Sequence, residues 1–164
     1  MTEIGIRPLA RGEYDWALAL NNSEVPHVSA HSTSTWPVLL EMAAQVPVVE
    51  IGGRPAGFAV LFLPGSAYAS ENYRWFGPRF PGFLYLDRIV IDGPARGRGL
   101  GRALYAAAMD FGRRAGVPIL TCEVNERPPN PESMAFHEKL GFRALGRQET
   151  EGGSKAVVML GIDL

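Results

Sequence analysis

Apolar and polar positions along the 164 residues switch between a period of two and a period near 3.6, and turn residues mark most of the switches. Ile4-Gly5-Ile6-Arg7 alternates as a short strand. Tyr14, Trp16, Ala17, Leu18 and Leu20 crowd one stretch and predict a helix ending near Asn21-Asn22, with a polar loop from Pro26 to Ser34 after it. Trp36, Leu39, Leu40 and Ala43 recur at helical spacing, so 36–45 reads as a second helix. Val46 to Ile51 and Ala56 to Leu63 are β-rich and are joined by Gly52-Gly53-Arg54, a hairpin signal. Pro64 to Gly82 holds Tyr68, Tyr73, Trp75, Phe76 and Phe80 but sustains neither period, and reads as a long loop of the kind that is often functional.

Phe83 to Ile91 carries apolar residues on both faces, which predicts a long central strand. Leu100, Ala103, Leu104, Ala107, Ala108, Phe111 and Ala115 then follow helical spacing until Gly116 and Pro118 stop it. Ile119 to Val124 is another strand. Asn130-Pro131 opens a short helix with an N-cap and a proline at the first helical position, and Gly141 closes it. Phe142 to Gln148 and Ala156 to Leu164 finish as two strands around Glu151-Gly152-Gly153-Ser154. The order β-α-α-β-β-β-α-β-α-β-β predicts a mixed α/β (α+β) fold with a single, mostly antiparallel central sheet flanked by helices. No repeat or linker divides the chain, so residues 1–164 read as one domain.

Composition narrows function more than fold. Hydrophobic residues make up 46 %, enough for one sizeable core. A formal net charge of -1 supplies no global field for nucleic acid or an anionic membrane. Basic character is local, at Arg96, Arg98 and Arg102. The single cysteine, Cys122, excludes an internal disulfide and a cysteine-based zinc site, and it alternates with Leu120 and Val124 as a core residue would. No metal-ligand spacing stands out, so no metal is expected. Met1-Thr2-Glu3-Ile4 has neither a basic nor an apolar signal region, and the longest apolar runs are strand-sized. A cytoplasmic protein with no nucleic-acid or membrane partner is expected.

Arg96-Gly97-Arg98-Gly99-Leu100-Gly101 lies between the central strand and the amphipathic helix. Glycines there permit positive φ and close approach of a ligand, and a helix start offers free N–H groups and partial positive charge. With the arginines, this makes an anion site suited to phosphate; the plain alternative is a turn that only packs helix on strand. No G-x-x-x-x-G-K-[ST] string exists, and G-x-G-x-x-G fails because Arg102 stands at its last position. The second string runs from Asn130-Pro131-Glu132-Ser133 to Gly141-Phe142, with Asn130, Ser133 and His137 on one helix face beside Phe136.

Arg96, Gly99 and Gly101 fit R-x-x-G-x-G, and 130–142 resembles N-x-x-[AS]-x-x-F-Y-x-x-x-G-F; both are patterns of the GNAT superfamily of N-acetyltransferases. The likeness covers about residues 83 to 142 in sequence and most of the chain in topology. Two departures stand out. Asn125-Glu126-Arg127-Pro128-Pro129 lengthens the loop before the second motif, and His137 occupies the position of the family's frequent tyrosine acid.

The resemblance implies a GNAT-like acyl-CoA acyltransferase fold and transfer of an acetyl group from acetyl-CoA, as cosubstrate, to a primary amine by direct attack in a ternary complex. The turn Arg96, Gly97, Arg98, Gly99, Leu100, Gly101 and Arg102 would hold the pyrophosphate. Asn130, Ser133 and Phe136 would line the pantetheine arm, and the backbone of Ile89, Val90 and Ile91 would receive the acyl end. An amine of pKa ~10.4 must lose a proton, whereas a thiol of pKa ~8.5 leaves readily. His137 is the first candidate for proton transfer. Asp87, on the face of Tyr85 and Ile89 by alternation, is the candidate base; an ion pair with an arginine such as Arg88 is the alternative, and Glu123 is a second carboxylate. Asn22, Glu24, His27, Trp75 and Tyr85 are the acceptor-side candidates. Dimerisation is common in that family, so a homodimer stays open. Two other readings remain: a GNAT fold that senses acyl-CoA without turnover, and a nucleotide binder using the same turn.

Overall fold

Seven strands form one sheet in the order β1-β2-β3-β4-β5-β7-β6 in the computed structural model, which describes residues 3–164. The strands are β1 Ile4–Pro8, β2 Pro47–Ile51, β3 Arg54–Phe62, β4 Leu84–Ile91, β5 Ile119–Arg127, β6 Arg143–Thr150 and β7 Lys155–Asp163. All neighbours are antiparallel except β4 and β5. Helices α1 Tyr14–Ser23, α2 Thr35–Met42 and α3 Glu71–Phe76 cover one face; α4 Leu100–Arg114 and α5 Pro131–Leu140 cover the other. β3 is apolar at every position from Phe58 to Phe62 because both its faces are covered. Phe58, Val60 and Phe62 pack toward α1–α3, while Ala59 and Leu61 pack toward α4.

The long loop expected from Pro64 to Gly82 contains α3. Ser70 Oγ accepts the Tyr73 N–H at 3.3 Å as the N-cap, and Tyr73 and Phe76, one turn apart, are buried against Phe83 and Tyr85. Six residues among Gly and Pro are too few to sustain a visible period. β5 also runs on to Arg127, through part of the segment expected as loop, and its register with β7 shifts between Asn125 and Arg127.

β4 carries the difference with most consequence. Val60 pairs with Arg88 and Leu61 with Leu86, so Asp87 is the extra residue of a β-bulge. The alternation resets there: Tyr85 and Val90 face α1–α3, whereas Leu86, Ile89 and Ile91 face α4. The expectation that Asp87 shares a face with Ile89 is therefore corrected. Arg88, the ion-pair partner named as the alternative, comes round to Asp87 and donates from Nε to Oδ2 at 2.7 Å.

Gly57 on β3 lies opposite Ile91; a Cβ there would sit 2.6 Å from the Val90 carbonyl oxygen and 2.7 Å from Ile91 Cδ1. Gly57→Ala is expected to destabilise the fold by about 1–3 kcal/mol through overpacking against backbone. Urea unfolding measures this, and an unchanged midpoint would contradict the β3–β4 packing.

Candidate active site

Leu84 with Leu120 and Tyr85 with Thr121 are the only register pairs that join β4 to β5. Beyond them the strands diverge around a cavity of about 620 Å³. Leu86 to Ile91 line one side and Cys122 to Asn125 the other; Arg96, Gly97 and Gly101 close one end, and α5 contributes Asn130, Ser133, Phe136 and His137. Past Tyr85, the β4 backbone groups that point away from β3 have no strand partner among the described residues. They face the cavity as an open sheet edge, ready to pair with an extended, amide-bearing ligand.

Gly97 and Gly99 both hold φ +78°, the left-handed conformation that glycine takes without strain, and a Cβ on either would meet nothing within 4 Å. Gly99 is the N-cap of α4, whose first helical bond runs from the Ala103 N–H to the Gly99 carbonyl. The preceding amides therefore point outward, and Arg96, Arg98 and Arg102 are exposed around them. This concave set of N–H groups, helix dipole and guanidiniums fits a diphosphate. Leu100 contributes backbone alone, since its side chain is buried in the core. Gly101, in the first turn of α4, faces Phe136 of α5, whose Cζ would lie 3.5 Å from a Cβ there, an ordinary contact. Arg96 forms an ion pair with Glu24, so Glu24, expected at the acceptor, lies at the rim of this cavity.

On α5, Asn130 Oδ1 accepts the Ser133 N–H at 3.3 Å, and its Nδ2 takes no part in the cap. His137 is buried. Its Nδ1 lies 2.6 Å from the Ser133 carbonyl oxygen, which only accepts, so Nδ1 carries the proton. Nε2 then accepts from the Tyr105 hydroxyl at 2.5 Å. Burial lowers the imidazole pKa, which keeps the ring neutral. Both nitrogens are thus engaged, and the cavity-lining hydroxyl of Tyr105 is the proton bearer of the pair.

A second cavity, about 460 Å³, lies on the α3 side of the strand gap and meets the first at His27, Val28, Asp87, Arg88, Glu123 and Asn125. At this junction the two carboxylates differ. Asp87 accepts from Arg88 and, at 2.7 Å, from the Tyr68 hydroxyl, so it sits in an ion pair. Glu123 accepts from the Tyr85 hydroxyl at 2.9 and 2.7 Å and from Asn72 Nδ2 at 3.2 Å, with no cation bonded to it. Burial first, then the Asp87 charge, push its pKa up to about 8, with the two donors and Arg88 opposing.

His27 lines both cavities. Asn22 does not; it clamps the loop by accepting the His31 N–H at 3.1 Å and donating to the His31 carbonyl at 2.9 Å. Trp75 lines neither cavity: its ring lies on Gly146 of β6, with the Arg79 guanidinium 4.0 Å from its centroid. Tyr85 is fully buried and reaches the site only through its hydroxyl. Asn72 and Tyr105 were not legible as site residues. The first lies in an aperiodic stretch, and the second on the buried stripe of an amphipathic helix, where a tyrosine reads as core.

A central sheet opened between two parallel strands, with a glycine turn at a helix start beside the gap, defines an acyl-CoA-type acyltransferase fold. The sequence model of the acetyltransferase (GNAT) family matches residues 13–142, and the chain belongs to that family. The peptidyl-lysine N-acetyltransferase YjaB of Salmonella typhimurium is 32 % identical over 78 residues, which is 48 % of this chain and 49 % of that protein. The chain thus matches about half the length of such curated relatives. Among solved structures, the ribosomal-protein-S18-alanine N-acetyltransferase of Escherichia coli superimposes with a TM-score of 0.73 at 20 % identity, covering 98 % of this chain and 94 % of that one. YncA from Salmonella typhimurium, solved with its cofactor acetyl-CoA, gives 0.68 at 17 % identity with the same two coverages. At these identities the likeness is one of fold.

A carboxyl with an ordinary pKa near ~4.3 when unfolded and about 8 when folded favours the native state in its protonated form. Stability contributed by Glu123 is therefore lost as pH rises from the first value through the second. The melting temperature of Glu123→Gln relative to the parent chain is expected to rise between pH 5 and pH 9, the gap widening with pH. A gap independent of pH would contradict the burial of an ionisable Glu123.

Proposed function

We propose that residues 1–164 act as one acetyl-CoA-dependent N-acetyltransferase domain whose general base is Glu123, in place of Asp87. The observation that carries this reading is the position of Glu123 at the junction of the two cavities, with its pKa raised to about 8. When bound, acetyl-CoA supplies an acyl thioester. Arg96 to Arg102 hold its pyrophosphate; Asn130, Ser133 and Phe136 flank its arm; the free amides of β4 at Ile89 to Ile91 face its acyl oxygen. A primary amine enters through the second cavity as an ammonium of pKa ~10.4, and Glu123 Oε takes its proton. Asp87, bonded to Arg88, keeps the proton affinity of Glu123 high. On the cofactor side, the departing thiolate, of ordinary pKa ~8.5, leaves without needing an acid, and the hydrogen-bonded Tyr105–His137 pair lines its path. The acceptor is an amine, as the peptidyl-lysine and glucosamine 6-phosphate of relatives are. A cytoplasmic site of action suits a lone cysteine that stays reduced.

Thiol release from acetyl-CoA against a panel of primary amines tests the reading. Release is expected with one acceptor class, and Glu123→Gln should lower kcat/KM by about 10²–10⁴-fold. A loss of only a few-fold would remove Glu123 from the mechanism, and binding without release across the panel would favour a sensor. Gly99→Asp puts bulk and negative charge into the glycine turn. It should abolish acetyl-CoA binding in calorimetry, and unchanged affinity would sink the pyrophosphate assignment.

A further inference from the structure

Two of the groups around Glu123 come from elements remote from the strand gap, and they are chained to one another. Asn72, on α3, donates from Nδ2 to Glu123 Oε1 at 3.2 Å. Its Oδ1 accepts from Gln148 Nε2, on β6, at 2.9 Å. A primary amide can present either its oxygen or its nitrogen in a given direction. Turned round, Asn72 would set an oxygen against the carboxylate, so Glu123, which only accepts, selects the orientation, and Gln148 holds the amide in place by donating to its Oδ1. The backbone beneath Asn72 is held as well. Ser70 caps α3, and the Tyr73 hydroxyl donates to the Leu63 carbonyl at 2.5 Å.

We propose that Asn72, anchored by Gln148, is a positioning residue that keeps the Glu123 carboxylate aimed into the acceptor cavity and ready to take a proton. The proposal rests on the reading of Glu123 as the base. A donor to a carboxylate favours its ionised form, so loss of the Asn72 N–H shifts Glu123 toward its protonated form. The other groups that face Glu123 act on it without such a bond. From β4, Asp87 raises its proton affinity and the paired Arg88 lowers it. From the loop after α1, His27 and His31 border the same cavity. From the far rim come Glu71 and the Glu151–Lys155 pair, 3.6 Å apart. Tyr105 and Cys122 lie on the cofactor side. Among the described residues, Tyr85 and Asn72 alone donate to its oxygens, and Asn72 is the one of the two that also lines the acceptor cavity.

The test is kcat/KM against pH for the full chain with its best amine, in Asn72→Leu, Gln148→Leu and Glu123→Gln. Asn72→Leu keeps the reach of the side chain and removes the N–H; its acidic limb should move up by about one pH unit, the worth of one such bond. KM for acetyl-CoA should stay constant, because Asn72 lines the acceptor-side cavity only. Gln148→Leu should shift the limb in the same direction by less, and it carries the test if Asn72→Leu fails to fold. Glu123→Gln should abolish the limb. If Glu123→Gln keeps both limb and rate, the base reading itself fails. If it abolishes the limb while the folded Asn72 and Gln148 variants leave it in place, the base stands and the positioning role is overturned.

Discussion

The early divergence of β4 from β5 is the constraint on which the site depends. Two parallel register pairs hold the strands together, after which each keeps its outer partner, β3 or β7, and abandons the other. The gap removes hydrogen bonds from the middle of the sheet, where an unpaired amide is costly. It leaves instead a row of backbone groups beside the glycine turn that starts α4. The crossover from β4 through α4 to β5 puts that turn at the open end of the gap. Both cavities, and the junction between them, follow from this one departure from regular pairing.

The charges at the junction divide between two roles. Asp87 and Glu123 are both held near the strand gap, and the Asp87 charge raises the proton affinity of Glu123. The bulge at Asp87 brings Arg88 round to neutralise one of them. Glu123 is left with two neutral donors, Tyr85 and Asn72, and its pKa stays raised, at about 8.

The parts of this arrangement that were legible in the sequence are those whose chemistry is local along the chain. Gly97, Gly99 and Gly101 adjoin the helix they start, and Asn130 and Gly141 cap the helix they bound, so spacing alone described them. The succession of elements along the chain, α3 excepted, followed from period and turn residues. The choice between Asp87 and Glu123 was not legible, because an extra residue in β4 is defined by its pairing with β3 and resets an alternation that had looked regular. His137 lies on the cavity as its spacing implied, but the partners of its two ring nitrogens, Tyr105 and the Ser133 carbonyl, are set by helix packing and were not legible. Trp75 looked like a pocket wall among aromatics, and the close approach permitted by Gly146 draws it onto β6 instead.

Titration of the 15N-labelled protein with coenzyme A, followed by amide resonances, reads the gap directly. The amides of Leu86 to Ile91 on β4 and of Gly97 to Arg102 in the turn should shift together and saturate at one ligand per chain. Shifts confined to surfaces away from the β4–β5 gap, or none at saturating ligand, would contradict a cofactor laid along the open edge of β4.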